Sequence, residues 1–349
     1  MIKTEAIELL KQLITAPSFS REEAATSDLL TTFFHQKNIP TERMGNNVWT
    51  KAKHWQPNRP TLLLCSHHDT VRPVAAWQRD PFQPMVEEDK LYGLGSNDAG
   101  ASLVALAMVF AHFYEVKNLP WNLIFLGAAE EEVSGNQGVA MVLPQLGHVD
   151  CAIVGEPTGM QMAVAQKGLL VVDATAHGKA GHAARDEGEN AIYIALQDIE
   201  FLKNYRFEKI SDLLGPVKMT VTQIEAGTQH NVVPDTCRFG VDIRTNEHYT
   251  NEEVFAILQK SLRSELRARS FRLNSSSIPT DHPLVRRGKA LGLRSFGSPT
   301  LSDSALMPFP TLKIGPGESE RSHTAEEFVW LREIEEGMDT YLKLIEIGN

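Results

Sequence analysis

Thr61-Leu62-Leu63-Leu64-Cys65-Ser66-His67-His68-Asp69-Thr70 begins as an unbroken apolar run and ends in two imidazoles and a carboxylate. The apolar half reads as a buried strand, and the polar half as the loop at its end, where α/β proteins usually keep their chemistry. Side chains alternate along an extended chain, so His67 and Asp69 project the same way and His68 points to the opposite side. Imidazole nitrogen and carboxylate oxygen are both good ligands for zinc-like ions. Alone, a His-x-Asp pattern is equally compatible with a strand that merely has a polar end.

Further along, other segments end in the same way. Tyr92-Gly93-Leu94-Gly95-Ser96-Asn97-Asp98-Ala99-Gly100 leads into an apolar helix over 101–113. It is not a dinucleotide loop, because Asp98 stands where the last glycine of that fingerprint belongs and a carboxylate repels pyrophosphate. Asp98 reads either as a helix cap or as a carboxylate that the bending glycines bring to a cation. The apolar stretch 121–129 empties into Glu130-Glu131-Glu132, and 151–155 into Glu156-Pro157-Thr158. Adjacent carboxylates at a sheet edge repel one another, a cost that a bound cation relieves.

The chain has 349 residues, enough for two domains. A formal net charge of -10 and a pI near 5.7 argue against nucleic-acid and anionic-membrane partners and for small molecules. No window reaches the roughly 18 apolar residues of a membrane helix. The opening Met1-Ile2-Lys3-Thr4-Glu5 shows no secretory signal, and three widely spaced cysteines, Cys65, Cys151 and Cys237, fit free thiols in a reducing cytoplasm.

Apolar spacing predicts a first helix around Ile7 to Ile14 and a second that starts at Ser20, with Glu23 as its capping-box partner. A short strand over 48–51 and a long irregular loop over 72–83 follow. From Lys167 the texture changes: strands over 168–175, 217–224 and 238–243 alternate with helices over 190–202 and 252–266. This β-α-β-β-α order predicts a small antiparallel sheet with helices on one face. The expected domains are 1–166 and 276–349, two parts of one α/β metal-binding domain, with 167–275 inserted between them. A loop over 301–307, a strand over 311–314 and an amphipathic helix over 326–344 close the chain.

His67-His68-Asp69, Gly93 to Asp98, Glu130-Glu131-Glu132, Gly155-Glu156-Pro157-Thr158 and Ser322-His323-Thr324-Ala325-Glu326-Glu327 occur in this order over nearly the whole chain. In them the sequence resembles the two-zinc amidohydrolases and metallopeptidases that include acetylornithine deacetylase, succinyl-diaminopimelate desuccinylase, aminoacylase and glutamate carboxypeptidase. The resemblance implies a mixed-sheet, zinc-exopeptidase-like α/β catalytic domain with an inserted α+β, ferredoxin-like lid and dimerisation domain.

It also implies a ligand set. His67 and Glu156 would hold one divalent ion, Glu132 and His323 a second, and Asp98 would bridge them, the ions being zinc, or cobalt or manganese. Glu131 would be the general base, with Asp69 supporting His67. Relatives commonly carry Asp-Glu-Glu where this chain has Glu130-Glu131-Glu132, which leaves the register of base and ligand open by one position, and Val133-Ser134-Gly135 supports Glu131 as base and Glu132 as ligand. In the insert, Gly178 to Ala184, Gln229 to Pro234 and Asp242-Ile243-Arg244 resemble the family's lid. There His182 would stabilise an oxyanion, within the chain or from the partner of a homodimer, while Asn231 and Arg244 would hold a substrate carboxylate. Arg244 also reads as a simple structural partner of Asp242, and His177, His230 and His248 read as ordinary surface or loop histidines.

Gly315-Pro316-Gly317-Glu318 ahead of His323 is most similar to acetylornithine deacetylase-like members. That likeness implies removal of an acyl group from N-acetylornithine, N-acetylcitrulline or N-succinylornithine in arginine biosynthesis. The competing readings are a di-zinc dipeptidase or aminoacylase of other specificity, and a non-catalytic metal-binding or ligand-binding relative.

Overall fold

The computed structural model describes residues 2–185 and 187–346. The chain divides into two compact units, one of residues 1–164, 277–296 and 302–349, the other of residues 165–276 and 297–301.

The first unit is built on a mixed sheet in the order Glu42–Met44, Asn47–Lys51, Asn122–Ala128, Thr61–His67, Cys151–Val154, Thr311–Lys313, Met162–Gln166. The four strands from Asn122–Ala128 to Thr311–Lys313 run parallel. Antiparallel strands flank them on either side. Every residue of Thr61–His67 and of Asn122–Ala128 is buried. The continuous apolar runs follow from this, because a parallel sheet is covered on both faces. Leu62, Leu64, Leu123 and Phe125 pack with the helices Ile2–Thr15, Ala101–Phe113 and Leu331–Ile345. Leu63, Cys65, Ile124 and Leu126 pack on the other face with the helix Val139–Leu146. Parallel strands end at one edge, so His67, Glu130 to Glu132 and Glu156 all emerge there.

A three-stranded sheet, Met85–Glu87, Lys90–Tyr92 and Phe328–Trp330, brings the end of the chain beside the glycine-rich loop, with Phe328 opposite Tyr92. The expected helix over 326–344 therefore begins later, at Leu331. His323 and Glu326 adopt φ of 59° and 60°, which a right-handed helix does not accommodate. The second helix also differs from expectation. It spans Ala24–Gln36, and no side-chain bond caps it. Ser20, expected as the cap, instead donates its hydroxyl to Asp69 Oδ2 at 2.7 Å.

The second unit is a four-stranded antiparallel sheet in the order Lys218–Ala226, Thr236–Arg244, Leu170–His177, Glu265–Ala268. Residues Leu170, Val172, Ala174 and Ala176 alternate into a core shared with the helices Ala191–Asn204 and Asn251–Ser261. Asn190 caps the first helix and a Thr250/Glu253 capping box starts the second. That second helix stops at Ser261 instead of continuing to 266, because the backbone N–H groups of Arg263 and Ser264 turn to the buried Asp198 carboxylate. The residues beyond become a fourth strand that the periodicity did not reveal.

Candidate metal centre

The strand Thr61–His67 ends on the imidazole itself. The Nδ1–H of His67 donates to the carbonyl oxygen of Asp69 at 2.9 Å, which leaves Nε2 as a lone-pair donor facing outward. His68 points away, between the Thr26 hydroxyl and the Asn46 carbonyl oxygen. Around His67 Nε2 stand Asp98 Oδ1 at 3.3 Å, Glu131 Oε2 at 3.9 Å and Glu156 Oε1 at 3.9 Å. Two sets, His67 with Glu131 and Glu156, and His67 with Asp98 and Glu132, each bring their ligand atoms within 4.8 Å of one another.

Asp98 is not a helix cap. Gly100 occupies that position, and the Asp98 carboxylate spans the two histidines. Its Oδ2 lies 3.7 Å from His323 Nε2, which in turn meets Glu132 Oε2 at 2.9 Å. The loop bends through Gly95, at φ 75°, where a β-carbon would come within 2.6 Å of Thr70 Cγ2.

The turn after Asn122–Ala128 is fixed by Asp69. One carboxylate oxygen accepts the Glu131 N–H at 3.0 Å, and the other the Glu132 N–H at 3.1 Å and the Ser20 hydroxyl. Glu130 turns elsewhere, its carboxylate accepting the Gln137 N–H. In this way Glu131 and Glu132, but not Glu130, face the histidines.

The electrostatics follow from crowding carboxylates in a buried place. Burial, helped by the charges of Asp98 and Glu132 and opposed by His67 and Lys313, pushes Glu156 up to about 7. Burial also raises Glu131 well above the usual carboxylate range, against the attraction of His67 and with Glu156, Asp303 and Glu132 adding to it. Desolvation lowers His67, but its bonds to Asp69 and Asp98 and the charges of Glu131 and Glu156 outweigh that and hold it well above the ordinary imidazole value. His323 is raised to about 9, chiefly by its bond to Glu132. Without a cation the cluster therefore favours bound protons. Two imidazoles and four carboxylates form a nitrogen and oxygen donor set that fits divalent ions of the zinc, cobalt or manganese kind.

Three residues at the site were not among the site residues expected from the sequence: Ser20, which reads there as a helix cap, Glu327 and Asp303. Asp303, in a single turn of 3₁₀ helix (Asp303–Leu306), is buried beneath the cluster with Oδ2 4.0 Å from Cys65 Sγ. Burial, with Asp69 and Glu156 adding to it and His67 opposing, pushes it up to about 8. Its signal was the loop over 301–307 before a strand, which reads in the sequence as a site loop.

The remaining candidates lie in the second unit. His182 is exposed and pairs with Val232, while Ala183 donates to the Asn231 carbonyl oxygen at 3.0 Å, so His182 and Asn231 are neighbours. Arg244 grips Asp242 with Nε at 2.9 Å and Nη2 at 3.0 Å. His177 is paired with Glu265 and His248 lies beside Glu247.

Residues 63–347 match the model of peptidase family M20/M25/M40, and the chain belongs to that family. The fold is shared with aminopeptidase PepT of Bacillus cereus, at TM-score 0.77 and 19% identity over 99% of this chain and 98% of that one. A tripeptidase of Staphylococcus aureus is similar at TM-score 0.76 and 20% identity, over 99% and 98%. The Bacillus subtilis YXEP protein, described as a dinuclear metal-binding peptidase, is similar at TM-score 0.73 and 17% identity, over 99% and 97%.

Proposed function

We propose that this member of the M20/M25/M40 family is a metal-dependent hydrolase that cleaves the amide bond of a small N-acyl amino acid. The substrates are N-acetylornithine or its relatives N-acetylcitrulline and N-succinylornithine, in arginine biosynthesis. The observation that carries the reading is the split carboxylate of Asp98, one oxygen toward His67 and the other toward His323, beside Glu131. His67, Glu156 and Asp98 would hold one divalent ion, and Asp98, Glu132 and His323 the other. When bound, such ions polarise an acyl oxygen and acidify an attacking water toward neutrality.

The chain's own groups supply the rest. Glu131 takes the proton of the attacking water and returns it to the departing amine. Asp69 holds the Glu131 and Glu132 backbone with one carboxylate and keeps His67 oriented through its carbonyl oxygen. His182 stabilises the oxyanion, within the chain or from the partner subunit of a homodimer formed through the inserted unit. Asn231 and Arg244 hold the substrate carboxylate, Arg244 with the guanidinium edge that Asp242 does not engage.

A second reading, cleavage of short peptides, draws support from fold neighbours named as an aminopeptidase and a tripeptidase. Metal stoichiometry measured alongside turnover of acetylornithine, acetylcitrulline, succinylornithine and a dipeptide panel separates the two. Turnover confined to dipeptides overturns the deacylase assignment.

A further inference from the structure

Glu327 is 2% exposed, yet it carries a carboxylate. A buried carboxylate persists only where hydrogen bonds compensate its lost hydration. Here Oε2 accepts the backbone N–H of Gly95 at 3.0 Å, and Oε1 those of Asn97 at 2.8 Å and Asp98 at 2.9 Å. The Glu327 carbonyl oxygen accepts the Gly93 N–H at 3.1 Å. Four backbone donors of the loop that carries Asp98 thus end on one residue. That residue lies four positions after His323, on a segment tied to the same loop a second time. The Asn97 amide donates to the Glu318 carbonyl oxygen and accepts the Glu318 N–H, both at 3.0 Å.

We propose that Glu327 is a positioning residue, which gathers the N–H groups of Gly95, Asn97 and Asp98 and so fixes the Asp98 carboxylate against His323 before any cation arrives. The inference rests on the reading of the cluster as a metal centre. An apolar residue in its place leaves three buried N–H groups unpaired. A glutamine offers one acceptor oxygen and turns an NH₂ toward an N–H. Both let the loop relax and Asp98 swing. The adjacent Glu326 supplies the comparison, because its carboxylate also accepts backbone N–H bonds, from Gln78 and Arg79, but on a different loop.

The test is a zinc titration against a competing chelator, with a melting curve for each protein, on the full-length wild type, Glu327→Gln and Glu326→Gln. Glu327→Gln should weaken binding of at least one ion by about 10–100-fold, the range seen when groups supporting a ligand are removed, whereas Glu326→Gln should lower the melting temperature with affinity changed less than about twofold. Wild-type affinity and stoichiometry in a folded Glu327→Gln protein overturns the inference. Should that variant not fold, amide exchange on metal-free wild type decides: slow exchange at Gly95, Asn97 and Asp98 supports a preformed cradle, and unprotected exchange overturns it. A wild type that binds no zinc is a different failure, which removes the metal centre and this inference together.

Discussion

Asp98 and His323, 225 positions apart in sequence, meet with Oδ2 3.7 Å from Nε2, while Oδ1 of the same carboxylate lies 3.3 Å from His67. One carboxylate that serves two imidazoles is a geometry for two cations held together. If Asp98 is the bridge, Asp98→Ala should lose both ions. Metal analysis of the purified variant checks this, and full occupancy refutes the bridge.

Glu131 faces His67 from 3.9 Å, and the proposed mechanism casts it as the base, not as a ligand. Glu131→Gln should keep its metal content and lose about 10²–10⁴-fold in kcat. Retained turnover, or loss of one ion, contradicts the role.

Ser20 donates to Asp69, whose carboxylate in turn holds the Glu131 and Glu132 backbone. Hydrogen bonds to charged groups contribute about 1.5–3 kcal/mol, so Ser20→Ala should cost an amount near the lower figure. The melting temperature should fall by a few degrees in metal-free protein; no shift means that the bond contributes nothing.

Glu156 is raised to about 7 and Asp303 to about 8, both above the free carboxyl value. At these two groups the folded protein thus binds more protons than the unfolded chain between about pH 4 and pH 8, so their contribution to stability falls as pH rises through that range. In chelator, the melting temperature should decline from about pH 5 to pH 9. With zinc present the decline should flatten, because the cation replaces the protons. A metal-free profile that rises with pH has the wrong sign.

If His182 acts across a homodimer, mixing inactive His182→Ala and Glu131→Gln subunits should restore partial activity. Up to about a quarter of the wild-type rate is the ceiling when random exchange leaves half the dimers mixed, with one of two sites intact. No recovery after verified subunit exchange argues for action within one chain.

Some of this was legible because it is local. Apolar runs longer than an alternating strand marked a sheet buried on both faces, and parallel strands deliver their ends to one edge. His67, the Glu130-Glu131-Glu132 run and Glu156 could therefore be picked out from where apolar stretches stopped, whereas Asp98 stood in the glycine-rich loop ahead of a helix and the register within the glutamate run came from the resemblance. The helix over 101–113 was found to the residue for the same reason.

What the letters could not reveal were bonds made across the chain. Ser20 looked like a helix cap, and only the folded chain shows its hydroxyl on Asp69. Glu326 and Glu327 looked like the first turn of a helix, and Asp198 gave no hint that it ends another. In each case a polar side chain found a distant partner: Ser20 the Asp69 carboxylate, and Glu326, Glu327 and Asp198 backbone N–H groups. Periodicity and capping rules describe a segment on its own. Which buried donor a carboxylate satisfies depends on what the fold places beside it, and that choice belongs to the tertiary structure.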